Sequence, residues 1–204
     1  MNKSKKFFDR VSSKSKPEPN QAAFKIIESS KEFLEKGNYI LDFGCGSGAI
    51  TNKLAKAVKG IEAIDISSGM LDFAKRQAEE NSISNINYTQ TSIFHERFKD
   101  ETFDVILAFN VLHYIDDIQS LIERINILLK PNGVFISSTA CMKEKRSLVR
   151  YLLSFLSNIG IVPKMISYNK VELETLIENG NFEVIKSERI SKLPEYFIVV
   201  RKRD

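Results

Sequence analysis

Apolar and polar positions along the chain follow two alternating periods. From Gln21 to Lys36, Ala22, Ala23, Phe24, Ile26, Ile27, Phe33 and Leu34 recur at helical spacing. Asn20 is placed to cap that helix and Gly37 to stop it. Tyr39–Phe43 is a short apolar run that ends in glycines, and it predicts a strand. A helix over Ile50–Lys59, a strand over Ile61–Ile66, and an amphipathic helix over Ser68–Asn81 follow, the last capped by Ser67 or Ser68. Further strands are predicted at Ile86–Gln90, Phe103–Phe109 and Gly133–Thr139, with a helix over Ile118–Leu129. Phe103–Phe109 is almost wholly apolar, as a strand covered on both faces should be. The pattern then changes. Broadly apolar Lys143–Ile159 and Lys170–Asn179 read as helices, and Phe182–Ile190 and Glu195–Arg201 as two strands joined by a turn at Lys192–Pro194. Alternating strands and helices argue for a parallel sheet covered on both faces, here finished by an antiparallel pair.

Composition narrows the class. The chain has 204 residues, 43% apolar and 27% charged, which suits one α/β domain. No apolar run approaches the ~20 residues of a membrane span. The N-terminus is basic without an apolar stretch, unlike a secretory leader. Cys45 and Cys141 offer no disulfide framework or metal-finger spacing, so a cytoplasmic setting without metal is expected.

The net charge of +4 is unevenly distributed. Residues 1–16 carry six basic residues against Asp9, and Arg201–Asp204 adds two more positive charges. Residues 17–200 hold 21 basic and 24 acidic residues, a net of −3, which does not favour a nucleic-acid face. Residues 1–19 read as a flexible basic arm whose Phe7 and Phe8 could dock as a flap. Deleting residues 1–16 is then expected to weaken ligand binding.

The chemistry concentrates at Ile40-Leu41-Asp42-Phe43-Gly44-Cys45-Gly46-Ser47-Gly48. A strand enters glycines and opens a helix, so a ligand can approach the main chain and free N–H groups face it. Asp65 ends the next strand, where a carboxylate can accept hydrogen bonds from ribose hydroxyls. Gly44, Gly46 and Ala49 fit the nicotinamide pattern. Gly44, Gly46 and Gly48 behind Asp42 fit an S-adenosylmethionine pattern better, since an acid beside the loop suits an ammonium group more than a pyrophosphate.

Over residues 20–202 the chain resembles the class I S-adenosylmethionine-dependent methyltransferases of the small-molecule group. The resemblance rests on LDFGCGSG, EAIDIS, YTQTSIF, FDVILAFNVLHYI, LLKPNGVFISST and the closing FEVIKSERI and EYFIVVRK. It implies a Rossmann-like α/β fold: a doubly wound, mostly parallel sheet of seven strands with an antiparallel C-terminal pair. The domain would span 20–204, with a substrate lid at about 142–168; an apolar helix there could equally pack on the sheet or form a dimer contact.

The resemblance also implies roles. Gly44, Gly46 and Gly48, with Cys45 among them, would line the amino-acid part of the cofactor. Asp42 would hold its ammonium, Asp65 its ribose, and Ile66 and Met70 its adenine. Ser92, beside Ile93, stands where many relatives have an acid. Phe109 and Asn110 would face the methionine portion. His113 could serve as a general base or as a packed structural histidine. The Asn/Asp-Pro-Pro-aromatic motif of many nucleic-acid amino-methylating enzymes is replaced by Asn110-Val111-Leu112-His113, and Cys141 lacks the context of a 5-methylcytosine nucleophile. The expectation is methyl transfer to a small-molecule O, N or C nucleophile by a monomer or homodimer. RNA or protein methylation, or a non-catalytic cofactor-binding module, are the alternatives.

Overall fold

The computed structural model describes residues 3–144, 157 and 162–203. Seven strands form one sheet in the order β3-β2-β1-β4-β5-β7-β6. They are β1 Tyr39–Phe43, β2 Gly60–Asp65, β3 Ile86–Gln90, β4 Phe103–Phe109, β5 Leu129–Ala140, β6 Phe182–Arg189 and β7 Glu195–Lys202. The first five run parallel, and β7 is antiparallel to both β5 and β6. The helices are α1 Lys3–Val11, α2 Gln21–Lys31, α3 Thr51–Leu54, α4 Ser68–Glu80, α5 Ile118–Leu128 and α6 Lys170–Glu178.

Alternation along the central strands builds two cores. Ile40, Val105 and Leu107 face α2, α3 and α4 through Ile26, Ile27, Leu54 and Leu71. Leu41, Ile106 and Ala108 face α5 and α6 through Leu121, Ile122, Ile125, Leu173 and Ile177. Adjacent residues on one strand thus serve opposite faces, and both faces are fully buried. The helix starts are set by side-chain caps: Asn20 accepts from Ala23 N, Ser67 from Met70 N, Asp117 from Ser120 N, and Asn169 shares a capping box with Glu172.

Several expectations need correction. Residues 1–19 are not a featureless arm: Lys3–Val11 is helical, with a 3-10 turn at Ser12–Lys14. The Lys5–Asp9 pair supports that helix locally, and Asp9 also bonds to Ser67, fifty-eight positions away. No local pattern announces a contact of that range. Helix α2 stops at Lys31 rather than Lys36, its next turn tightening through Ser30 O and Lys31 O. The helix expected over Ile50–Lys59 is α-helical only at Thr51–Leu54 and becomes 3-10 over Ala55–Ala57. Strand β5 begins earlier, since Leu129 pairs with Phe103 before a register shift. Most of the expected Lys143–Ile159 helix, and with it the centre of the 142–168 lid, lies outside the described residues.

Candidate functional site

Parallel strands leave a crevice at their C-terminal ends where neighbouring connections diverge. Here a cavity of about 600 Å³ occupies that place, between the ends of β1, β2 and β4. Of the residues singled out from sequence, Asp42, Gly44, Cys45, Gly46, Asp65 and Ile66 line it on one side. Met70, Ser92, Ile93, Phe109 and Asn110 complete the set.

The glycine loop is folded by its own geometry. Gly44, Gly46 and Gly48 all have left-handed backbones, with φ of 74°, 53° and 73°. Gly44 N and Cys45 N both donate to Ile64 O, binding the loop to β2. A Cβ on Gly46 would meet nothing within 4 Å. Gly46 N donates to Asp65 Oδ2 at 3.0 Å, and Ser67 N donates to Asp65 Oδ1 at 2.8 Å. One carboxylate therefore ties the loop to the start of α4.

Two carboxyl groups share this small volume. Asp42 is 2% exposed and accepts one hydrogen bond, from Thr51 Oγ1 at 2.5 Å. Burial pushes its pKa up to about 7, against the Thr51 bond and with help from Asp65. Asp65 is also raised, by burial first, and three backbone N–H groups oppose that rise. An acid raised in the folded state binds more protons there than when unfolded. Stability then falls as pH rises from about 4 to about 7. Asp42→Asn, which keeps an acceptor for Thr51, should flatten that loss between about pH 4 and 7 in urea titrations.

Two predicted residues lie elsewhere. Gly48 is not at the cavity surface: a Cβ there would come within 2.8 Å of Ala74 Cβ and Tyr88 Oη, so it serves the packing of α4 and β3 against the loop. His113 is 4% exposed and behind the lining, in a 3-10 turn, Leu112–Tyr114. Its ring lies 4.2 Å from that of Tyr114, which does line the cavity. Nδ1 has no hydrogen-bond partner, and burial pushes the pKa down to about 4. The imidazole is neutral at pH 7 but a weak base in a closed place. His113 O accepts from Ile166 N at 2.8 Å, so its backbone anchors the segment before α6.

Ser92 Oγ accepts from Phe94 N at 3.2 Å, a local turn that occupies one lone pair of the hydroxyl. Asn110 holds a left-handed backbone, φ 54°, fixed by its N–H on Ser138 O at 2.7 Å and its Nδ2 on Glu195 Oε1 at 3.1 Å. Neither cysteine is poised as a nucleophile. The Cys45 thiol is pushed up by burial and by both aspartates, and Cys141 is buried with its pKa pushed up to about 12.

Sequence reading missed part of the wall. Thr51 is the hydroxyl partner of Asp42, and Phe94, Tyr114 and Ile115 are apolar lining residues. Phe8 from α1 meets Tyr114 edge to face, with ring centroids 5.4 Å apart. The apolar pair in the arm was the one signal for that contact. Among the described residues no cluster of His, Cys, Asp and Glu could hold a metal ion, and no helix is long and apolar enough to cross a membrane.

Residues 34–188 match a family model described as "Methyltransferase domain". The ubiquinone biosynthesis O-methyltransferase of Actinobacillus pleuropneumoniae serotype 7 is 35% identical over 149 residues, 70% of this chain and 60% of that protein. The enzyme of the same name from Pasteurella multocida is 38% identical over 113 residues, 50% of this chain and 46% of that one. The chain thus spans about half the length of these relatives. An S-adenosylmethionine-dependent methyltransferase from Mesorhizobium loti superposes with a TM-score of 0.71 over 89% of this chain and 98% of its own. At 17% identity that likeness speaks to the fold.

Proposed function

We propose, for a chain that belongs to the class I S-adenosylmethionine-dependent methyltransferases, that it methylates a hydroxyl oxygen of a small, partly apolar molecule. The cavity's two carboxyl groups carry the reading. Asp42 and Asp65 are both raised by burial, and among the described residues no cationic side chain is bonded to either. A ligand that brings its own positive charge and hydroxyl donors satisfies both. The open space beside Gly46 admits its main-chain-like end, and Ile66, Met70, Ile93 and Phe94 form an apolar slot for a flat base. The residues present therefore fit S-adenosylmethionine. When bound, it supplies an electrophilic methyl group on a sulfonium.

This chain's residues bind, orient and exclude water. Asp42, held by Thr51, faces the ammonium; Asp65 faces the ribose hydroxyls; Asn110, locked by Ser138 and Glu195, borders the acceptor. Phe8, Tyr114 and Ile115 give the acceptor apolar walls, which suits alignment of nucleophile, carbon and sulfur in a dry site. His113 acts here by holding Tyr114 in place. Oxygen as the reacting atom draws on the relatives named as O-methyltransferases. The proposal places the protein in the cytoplasm as a monomer or homodimer, in keeping with two unpaired cysteines.

Calorimetric titration with S-adenosylmethionine tests the cavity, and transfer of deuterated methyl to a panel of phenols and catechols, against RNA and protein, tests the acceptor. No binding to the folded protein sinks the reading; label found only in RNA or protein sinks the acceptor class. A cation beside Asp42 stabilises its ionised form, so binding below pH 7 should release a proton and affinity should rise with pH through about 7. Titrations in buffers of different ionisation heat read that proton, and Asp42→Asn should abolish it. His113→Gln should change cofactor affinity by no more than about twofold, within the coupling usual for residues that touch no ligand.

A further inference from the structure

A carboxylate of helix α1 reaches the start of α4. Asp9 Oδ1 accepts from Ser67 Oγ at 2.7 Å and from Gly69 N at 3.3 Å, both at the start of α4. Asp9 Oδ2 pairs with Lys5 Nζ at 2.8 Å, within α1. The Lys5 bond first, then those from Ser67 and Gly69, hold the ionised form, so the Asp9 pKa is lowered. Gly69 permits the close approach: a Cβ there would lie 2.6 Å from Ser12 Oγ and 3.3 Å from Ser12 Cβ. Ser15 Oγ adds a weak contact to Met70 Sδ at 3.5 Å.

That fastening continues into the cavity in both directions. Phe8, next to Asp9, lines the cavity and meets Tyr114. Lys16, Glu18 and Pro19 line it too. On the other side, Ser67 N donates to Asp65 Oδ1 while Gly46 N donates to Asp65 Oδ2. Asp9, Ser67, Asp65 and Gly46 therefore form one hydrogen-bonded line from the N-terminal helix to the glycine loop.

We propose that Asp9 is a positioning residue that latches α1 over the cavity, so that the cofactor enters and leaves when the contact between Asp9 and α4 breaks. This rests on the reading of the cavity as the S-adenosylmethionine site. A short peripheral helix such as α1 can open locally without unfolding the sheet. Ordering at Asp65 by a bound ribose fixes Ser67, which is the receptor for the latch, so cofactor and closure favour each other.

The test compares wild type with Asp9→Ala, Asp9→Asn and Gly69→Ala in the full chain. Gly69 lies in the first turn of α4, where Ala is the better helix former, so that variant wedges α1 away without weakening α4. Trypsin cleavage at Lys5, Lys6, Arg10 and Lys14, without ligand, reads opening of α1. Release of S-adenosylhomocysteine, followed by stopped flow, reads gating. Asp9→Ala and Gly69→Ala should raise both rates at least about tenfold, the scale of a lost bond to a charged group, with the thermal midpoint little changed. Asp9→Asn, which keeps an acceptor for Ser67 and Gly69, should fall between. Equal cleavage in all four proteins overturns the latch, and faster cleavage with unchanged release overturns the gate. Failure of wild type to bind S-adenosylhomocysteine overturns the reading of the cavity instead, while the cleavage contrast still decides the latch.

Discussion

Asp65→Ala should weaken S-adenosylmethionine binding by about a hundredfold while leaving the fold intact. Two hydroxyl donors on one carboxylate are charge-assisted bonds of roughly 1.5–3 kcal/mol each, and a hundredfold corresponds to about 2.7 kcal/mol. The substitution also removes the acceptor of Gly46 N and Ser67 N, so the loop is less well ordered for its ligand. Stability should move little, because a carboxyl group held in a place that raises its pKa is already disfavoured there. Calorimetry and a thermal melt on the same sample separate the two effects. Unaltered affinity would refute the assignment of Asp65 to the ribose. Asp65→Asn, which retains an acceptor for one of the two N–H groups, should bind more tightly than Asp65→Ala and more weakly than wild type.

Gly48→Ala should fail in the opposite way, by losing the fold first. Its φ of 73° costs a side-chain-bearing residue about 1–2 kcal/mol. Its Cβ would press on Ala74 Cβ and Tyr88 Oη at 2.8 Å, and overpacking of that kind costs about 1–3 kcal/mol. Neither neighbour can move freely: Ala74 is fully buried in α4, and Tyr88 Oη donates to Asn52 Oδ1 at 2.6 Å. The sum, about 2–5 kcal/mol, should lower the thermal midpoint by roughly 5–15 °C in a chain of this size. Gly46→Ala is the contrast within the same loop. Its Cβ meets nothing, so only backbone strain opposes folding, and the methyl instead enters the space reserved for the ligand. Gly46→Ala should thus bind poorly while losing only the about 1–2 kcal/mol of backbone strain, and a midpoint for Gly48→Ala equal to that of Gly46→Ala would refute the packing role of Gly48.

Those two glycines mark where sequence reading reaches its limit. The motif singled out three glycines because a tight turn and close approach of a ligand to the main chain need them, and all three have left-handed backbones. Which of them faces the ligand depends on what packs behind the loop, and Ala74 and Tyr88 come from elements far along the chain. Strands and caps were legible because they are local: alternation marks β1 and β4, and Asn20 and Ser67 stand where helices start. Asp42 and Asp65 were legible because strand ends converge in a doubly wound sheet. His113 was legible as a residue near the site, with a general-base and a packed structural reading both open, and a 3-10 turn of three residues decides which way the ring points. Phe7 and Phe8 signalled that the arm could dock, but its bond to α4 was hidden: Asp9 and Ser67 share no pattern, only a place.

The position of β7 between β5 and β6 has a consequence for biosynthesis. A ribosome delivers β6 before β7, yet β6 has no neighbour in the sheet except β7. Until Glu195–Lys202 emerges, β5 presents an open hydrogen-bonding edge and β6 has no strand to pair with. The nascent protein therefore carries two unpaired strand edges until its last strand arrives. That interval is when a chaperone, or a second nascent chain, would find it.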